Sequence, residues 1–180
     1  MNGDFIFMDN FAEQLVAKKE TSSDKARRIA MIVCGVFFTI ILIALAILQL
    51  GNSIVSFMGL ILAAATGYGT YYFVQSSYVE YEYAFTNGEL DIDKIIAKKK
   101  RVEMISADVR KFTAFGKYED GMEESEDMTV VFATDNIASH EYYADFQHDE
   151  YGTTRLVFVP DEKMLGYITK ALPYKLRNQL

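Results

Sequence analysis

The chain has one cysteine, two prolines, two histidines and no tryptophan in 180 residues. With Cys34 alone, no intrachain disulfide, cysteine metal cage or dithiol redox pair can form. His140 and His148 have no cysteine or third ligand arranged near them in sequence, which is too little for a zinc site. The acidic stretch 119–127 lacks the alternating Asp/Asn ligands, central Gly and terminal Glu of a calcium loop, and reads as solvated. No nucleophile elbow, phosphate-cradling glycine loop or kinase signature occurs. These absences predict a protein that is not an enzyme and that carries no cofactor and no metal. The largest absence is of charge: between Ile29 and Ser77 there is no Asp, Glu, Lys, Arg or His. That argues against an ion pathway or proton relay, which intramembrane ionisable groups usually mark.

Where charge is missing, apolar length is present. Ile29 to Leu50 is followed after Gly51-Asn52-Ser53 by a second uncharged run, Ile54 to Val74. Each is long enough to cross a hydrocarbon core of about 30 Å at about 1.5 Å per residue, so the pair predicts a transmembrane helical hairpin over 29–77. A cleaved signal peptide would have a shorter apolar region and a small-residue cleavage site behind it. Lys18, Lys19, Lys25, Arg27 and Arg28 crowd the start of the first run, while the turn has no charge. Basic residues mark the cytoplasmic side. The expected location is therefore the cell membrane, with two spans and both termini cytoplasmic. Gly59, Ala63 and Gly67 recur every fourth residue and form a helix-packing face. This face receives either the first helix, past Gly35 and Thr39, or another copy of the chain.

Residues 1–28 balance their charges, so the net charge of −7 belongs to residues 78–180. That acidity argues against nucleic acid as a partner, which needs a concentrated basic face. In the 1–28 segment, Asn10 to Lys19 predicts a short amphipathic helix with Asn10 as N-cap and Phe11 and Leu15, with Ala12 beside them, on its apolar face. Such a helix suits the membrane interface; otherwise the segment packs on the domain that follows or is a disordered tail. Thr21-Ser22-Ser23-Asp24 then caps the first span.

The remaining residues predict short strands closed by a helix. Tyr78 to Thr86 alternates, Asn87-Gly88 is a two-residue hairpin signal, and Glu89 to Ile96 is the partner strand. Further strands are expected near 102–106, 109–115, 128–133, 141–147 and 154–159. From Pro160 the period changes to helical, with Met164, Leu165, Ile168, Leu172 and Leu176 on one face and Pro173 as an interruption.

Seven strands and a closing helix is the element order of the pleckstrin-homology (PH) fold. Through the hairpin 81–93, the basic corner Lys98-Lys99-Lys100-Arg101 and the closing helix, the chain resembles bacterial membrane-anchored PH-like proteins, of an uncharacterised clostridial type. The resemblance implies an α+β protein: a transmembrane hairpin, then a cytoplasmic PH-like seven-stranded β-barrel or sandwich over 78–180, serving as a binding or scaffold module. Phosphoinositide-binding PH domains hold the headgroup in a long basic loop between their first two strands, and with Tyr78 opening the first strand that connection is Asn87-Gly88. Specific phosphoinositide recognition is not expected. Strand alternation instead returns Lys98, Lys99, Lys100 and Arg101 to the membrane-proximal end. There they contact anionic headgroups at roughly 1 kcal/mol each, or form a solvated turn. The expected partners are the lipid bilayer and an unidentified protein, with further copies of the chain as a third. The rival function is a small oligomeric membrane component, a transporter accessory or channel subunit, assembled through its helices.

Overall fold

A computed structural model describes residues 10–49, 51–119, 121–125, 127–136 and 140–178. The chain divides into two units, with boundaries at Lys19/Glu20 and Val79/Glu80 and a brief return at 96–98. Two helices dominate one unit: α1, Ser22–Leu48, and α2, Ser53–Ser76. Thr21 opens α1 with a capping box, its hydroxyl accepting from the Asp24 amide while the Asp24 carboxylate accepts from the Thr21 amide. Asn52 caps α2 through its side chain. Both helices are long and apolar enough to cross a membrane. Of their residues only Ala46, Ser56 and Ala63 are buried, which separates them from core helices of a water-soluble fold.

Among the described residues the other unit holds eight strands rather than seven. They are β1 (Phe11–Ala17), β2 (Val79–Thr86), β3 (Glu89–Ile96), β4 (Lys100–Asp108), β5 (Ala114–Lys117), β6 (Thr129–Ala133), β7 (Tyr142–His148) and β8 (Gly152–Phe158). They form two four-stranded sheets, ordered β1-β2-β3-β4 and β5-β7-β8-β6, and these do not close into a barrel. β5–β7 and β7–β8 are antiparallel, whereas β6 joins β8 in parallel.

The additional strand corrects the expected amphipathic helix. Phe11–Ala17 is β1, paired antiparallel with β2 from Phe11↔Thr86 to Ala17↔Glu80. Ala12 and Val16 are buried and Phe11, Glu13, Leu15 and Ala17 are exposed, a period of two. Asn10 caps nothing; its amide donates to Asn87 Oδ1 at 3.3 Å. The helix-forming composition of 12–19 is a weak local preference, and the ladder offered by β2 overrides it. The strand-bearing unit therefore starts before the helices, and α1 and α2 are inserted between its first two strands. By the same count, the connection between the first two strands is the helical segment and not Asn87-Gly88, so the length of that turn says nothing about phosphoinositides. A second correction falls at 109–115. The strand β4 runs on through Asp108, a 3-10 turn occupies Val109–Lys111 with Asp108 accepting from the Arg110 amide, and β5 begins only at Ala114.

Tyr83 ties the two sheets together. Its ring meets Phe158 edge-on at 5.9 Å, while its hydroxyl donates to the Ala133 carbonyl and accepts from the Val159 amide at 3.3 Å. Burial pushes this phenol well above its ordinary pKa. Around it Phe85, Leu90, Ile92, Ile105, Leu156 and Phe158 are fully buried. The helix α3, Glu162–Ala171, is capped by Asp161 and buries Met164 and Ile168, with Leu172 just beyond; it packs on β1 and the 3-10 turn. Pro173 ends this run, and a short helix α4 follows at Tyr174–Arg177.

Candidate functional site

The basic corner lies in the β3–β4 turn. Ala97 and Lys98 both have left-handed backbones, φ 55° and 57°, which side chains bearing a Cβ rarely adopt. Tyr78, two residues beyond α2, holds the turn by accepting from the Ala97 amide at 2.9 Å. Lys98, Lys99 and Lys100 are exposed.

Arg101 reaches two carboxylates of the first sheet. Its guanidinium is ion-paired with Glu82 of β2 and lies 3.6 Å from Asp93 of β3. The Glu82 carboxyl is held above the ordinary carboxylate range by its burial first and by a hydrogen bond with Glu13 second, with Arg101 opposing both. Carboxylates from two adjacent strands thus meet one cation, and Glu13 of β1 joins them through Glu82. The four basic residues are contiguous in sequence and all exposed, Arg101 with its guanidinium ion-paired to the sheet.

In the helical unit, the small residues face the partner helix. A Cβ on Gly59 would come within 2.9 Å of the Ala46 Cβ, Gly67 stands opposite the Thr39 hydroxyl at 4.0 Å, and Thr70 fills the space a Cβ would need at Gly35. Ala63 is buried, and the Ser56 hydroxyl donates to the Ala46 carbonyl. The start of α1 and the end of α2 are clasped by Arg28. It donates to the Tyr78 hydroxyl at 2.8 Å, lies 4.4 Å from that ring's centroid, and is ion-paired with Glu20.

The histidines and the acidic loop have ordinary duties. His140 Nε2 is 3.5 Å from an Asp135 carboxylate oxygen. His148 Nδ1 accepts from the Glu150 and Tyr151 amides in the β7–β8 turn. The acidic loop is anchored by its backbone, the Glu123 carbonyl accepting from Arg155 at 3.1 Å, while Asp120 and Glu126 lie outside the described residues. Arg155 also makes two 2.7 Å bonds to Asp145 across the β7–β8 ladder.

Three structural residues escaped sequence reasoning. Gln14 links β1 to the start of α3, donating to the Val159 carbonyl at 2.8 Å and accepting from the Asp161 amide at 2.7 Å. Its signal was the alternation of Ala12, Gln14 and Val16 against Phe11, Glu13 and Leu15. The Arg155–Asp145 pair has no signal in the sequence.

Two stacked sheets, a closing helix and a helical hairpin set into the first connection define the class. The chain belongs to the family described as "Bacterial PH-like domain (DUF6106)", whose model matches residues 8–178. The match begins ahead of β1 and runs through both helices, so the family includes the inserted hairpin. It supports a bacterial PH-like protein and nothing narrower, and the clostridial likeness is without support. No curated protein and no solved structure matches the chain.

Proposed function

We propose that the chain is a two-span membrane protein with both termini cytoplasmic, which presents its PH-like domain at the bilayer as a non-catalytic binding or scaffold module. The carrying observation is the register of the first ladder. Ala17 and Glu80 are paired residues on neighbouring strands, so the chain leaves and re-enters the domain at points about 5 Å apart. Only an even number of crossings returns it there. The composition of α1 and α2 supports burial in lipid, since large side chains such as Val33, Phe37, Phe57 and Leu60 are exposed with no soluble partner. The basic side chains ahead of α1 support the cytoplasmic assignment.

On this reading anionic headgroups attract Lys98, Lys99 and Lys100, which follow directly on the turn held by the Ala97–Tyr78 bond. Arg101 is left to orient the sheet carboxylates. The open surface of the domain serves a protein partner or a further copy of the chain. The test is labelling in intact cells of a Cys34→Ser chain carrying Asn52→Cys, with a reporter fused at each terminus. The cysteine should react with an impermeant maleimide added outside, and both reporters should be cytoplasmic. Termini on opposite sides, or a cysteine reached only after lysis, would overturn the proposal.

A further inference from the structure

A second candidate site lies at the end of β2 that leads into the β2–β3 turn. Here the β2–β3 turn, the 3-10 turn after β4 and the last turn of α3 enclose a cavity of about 250 Å³. Its floor is aromatic: Tyr167 lies parallel to the buried Phe85, with 5° between planes and centroids 5.9 Å apart. Its rim is cationic, with Arg110 on one side and Lys170 on the other, the Lys170 ammonium standing 5.7 Å from the Tyr167 ring.

The polar groups at this rim are arranged as donors. Asp108 accepts from Arg110 Nε at 2.7 Å and Nη2 at 3.0 Å, which fixes the guanidinium plane and leaves Nη1 unused. The same contact holds the Asp108 carboxyl below its ordinary range. Asn87 Oδ1 accepts from the Asn10 amide, which assigns the flip of that side chain and leaves its NH2 group as donor. Lys170 adds an ammonium. Asp108, and Glu89 further off, offset part of the positive charge at Arg110, while Lys111 and Lys170 add to it. Gly88 brings the turn close: its φ is 101°, and a Cβ there would sit 3.4 Å from Arg110 Nε.

We infer that this cavity binds a small organic anion, a phosphate ester or carboxylate on a single flat ring, with the ring on Tyr167 and the anionic group between Arg110 and Lys170. The volume limits the ligand, since sites for drug-sized molecules span about 300–1,000 Å³. Phosphate and carboxylate share the recognition chemistry, because a guanidinium with one free edge and an ammonium serve either oxyanion.

The experiment is isothermal titration of the full chain in phosphatidylcholine nanodiscs, which carry no anionic headgroup to compete. Phenyl phosphate and benzoate are titrated in separate arms, with inorganic phosphate and phenol as the halves of the ligand. One or both ring-bearing anions should saturate a single site, and each half should bind at least about tenfold more weakly. Arg110→Gln and Lys170→Gln should each weaken the preferred anion by about tenfold, and Tyr167→Ala should reduce phenyl phosphate to the level of inorganic phosphate. Lys163→Gln, on the first turn of α3, should change nothing. In the unmutated chain, amide resonances of Gly88 and the Asn87 side chain should move on titration, a readout that needs no variant to fold. Absence of saturable binding by both ring-bearing anions, unmoved resonances, or equal binding by an Arg110→Gln/Lys170→Gln chain of unchanged melting temperature would overturn the inference.

Discussion

Truncating side chains along residues 11–16 one at a time distinguishes a strand from an amphipathic helix, because the two bury different residues. In the ladder Val16 is 6 % exposed while Leu15 is 58 % exposed. Val16→Ala removes two buried methyl groups at about 0.8 kcal/mol each and leaves a small cavity, so about 2 kcal/mol is expected. Gln14→Ala deletes two hydrogen bonds that join β1 to the start of α3, worth about 1 kcal/mol each, for a similar total. Leu15→Ala and Phe11→Ala remove side chains that protrude from the sheet and should cost under about 0.5 kcal/mol. In a domain of this size about 2 kcal/mol corresponds to a fall of about 10 °C in melting temperature. Near-ultraviolet circular dichroism of the full chain in nanodiscs reads this through the core tyrosines. The reasoning fails if Leu15→Ala or Phe11→Ala lowers the melting temperature as much as Val16→Ala does, since that is the pattern of an apolar helical face made by residues 11 and 15.

Two further outcomes follow from the carboxylates and lysines of the first sheet. Because the folded Glu82 carboxyl sits above its ordinary range, the folded state holds that proton more tightly than the unfolded chain. Its contribution is complete below the unfolded value of about 4.3 and is lost as pH rises through the raised folded value. Glu13→Gln removes a neighbouring negative charge, so its melting temperature relative to the unmutated chain should be higher at pH 7 than at pH 4; an equal difference at both would refute the pairing. For the basic corner, Lys99 and Lys100 should be acylated more slowly in anionic than in zwitterionic nanodiscs, read by mass spectrometry. The difference should fade as salt shortens the Debye length below about 10 Å, with Lys163 as the unaffected control. Equal rates in both lipids would make the corner an ordinary solvated turn.

The parts legible from sequence were those whose signal is local. An uncharged run of helical length, a capping box at Thr21, the Asn87-Gly88 turn with both residues at positive φ, and the period-3.6 face of α3 each carry their evidence within a few residues. β1 does not, because its partner follows only after both helices and its own residues mix apolar and polar on either face. Counting strands from Tyr78 then shifted every later number by one and hid the insertion. The 3-10 turn was missed for a related reason. Asp108 suits a turn, but its carboxylate caps the residues after it, so β4 runs longer and β5 starts later than the pattern suggests. At the basic corner, four adjacent cations look equivalent in sequence. Only the ladders place Glu82 and Asp93 beside one of them.

The insertion also carries an energetic requirement. Closing a flexible loop of about 60 residues between two paired strands costs about 3 kcal/mol more than closing a two-residue turn. That is comparable to what Val16 contributes to the core, so a disordered insertion would leave β1 marginal. The helices avoid the cost by being ordered themselves: Gly59 lies against Ala46, Thr70 fills the space beside Gly35, and Arg28 joins the first turns of α1 to Tyr78. The two ends of the insertion are thereby held together, which lowers the closure cost of pairing β1 with β2. A strand with helix-forming composition can then pair because closure is already made, and anything that separates the helix ends weakens β1 without touching it.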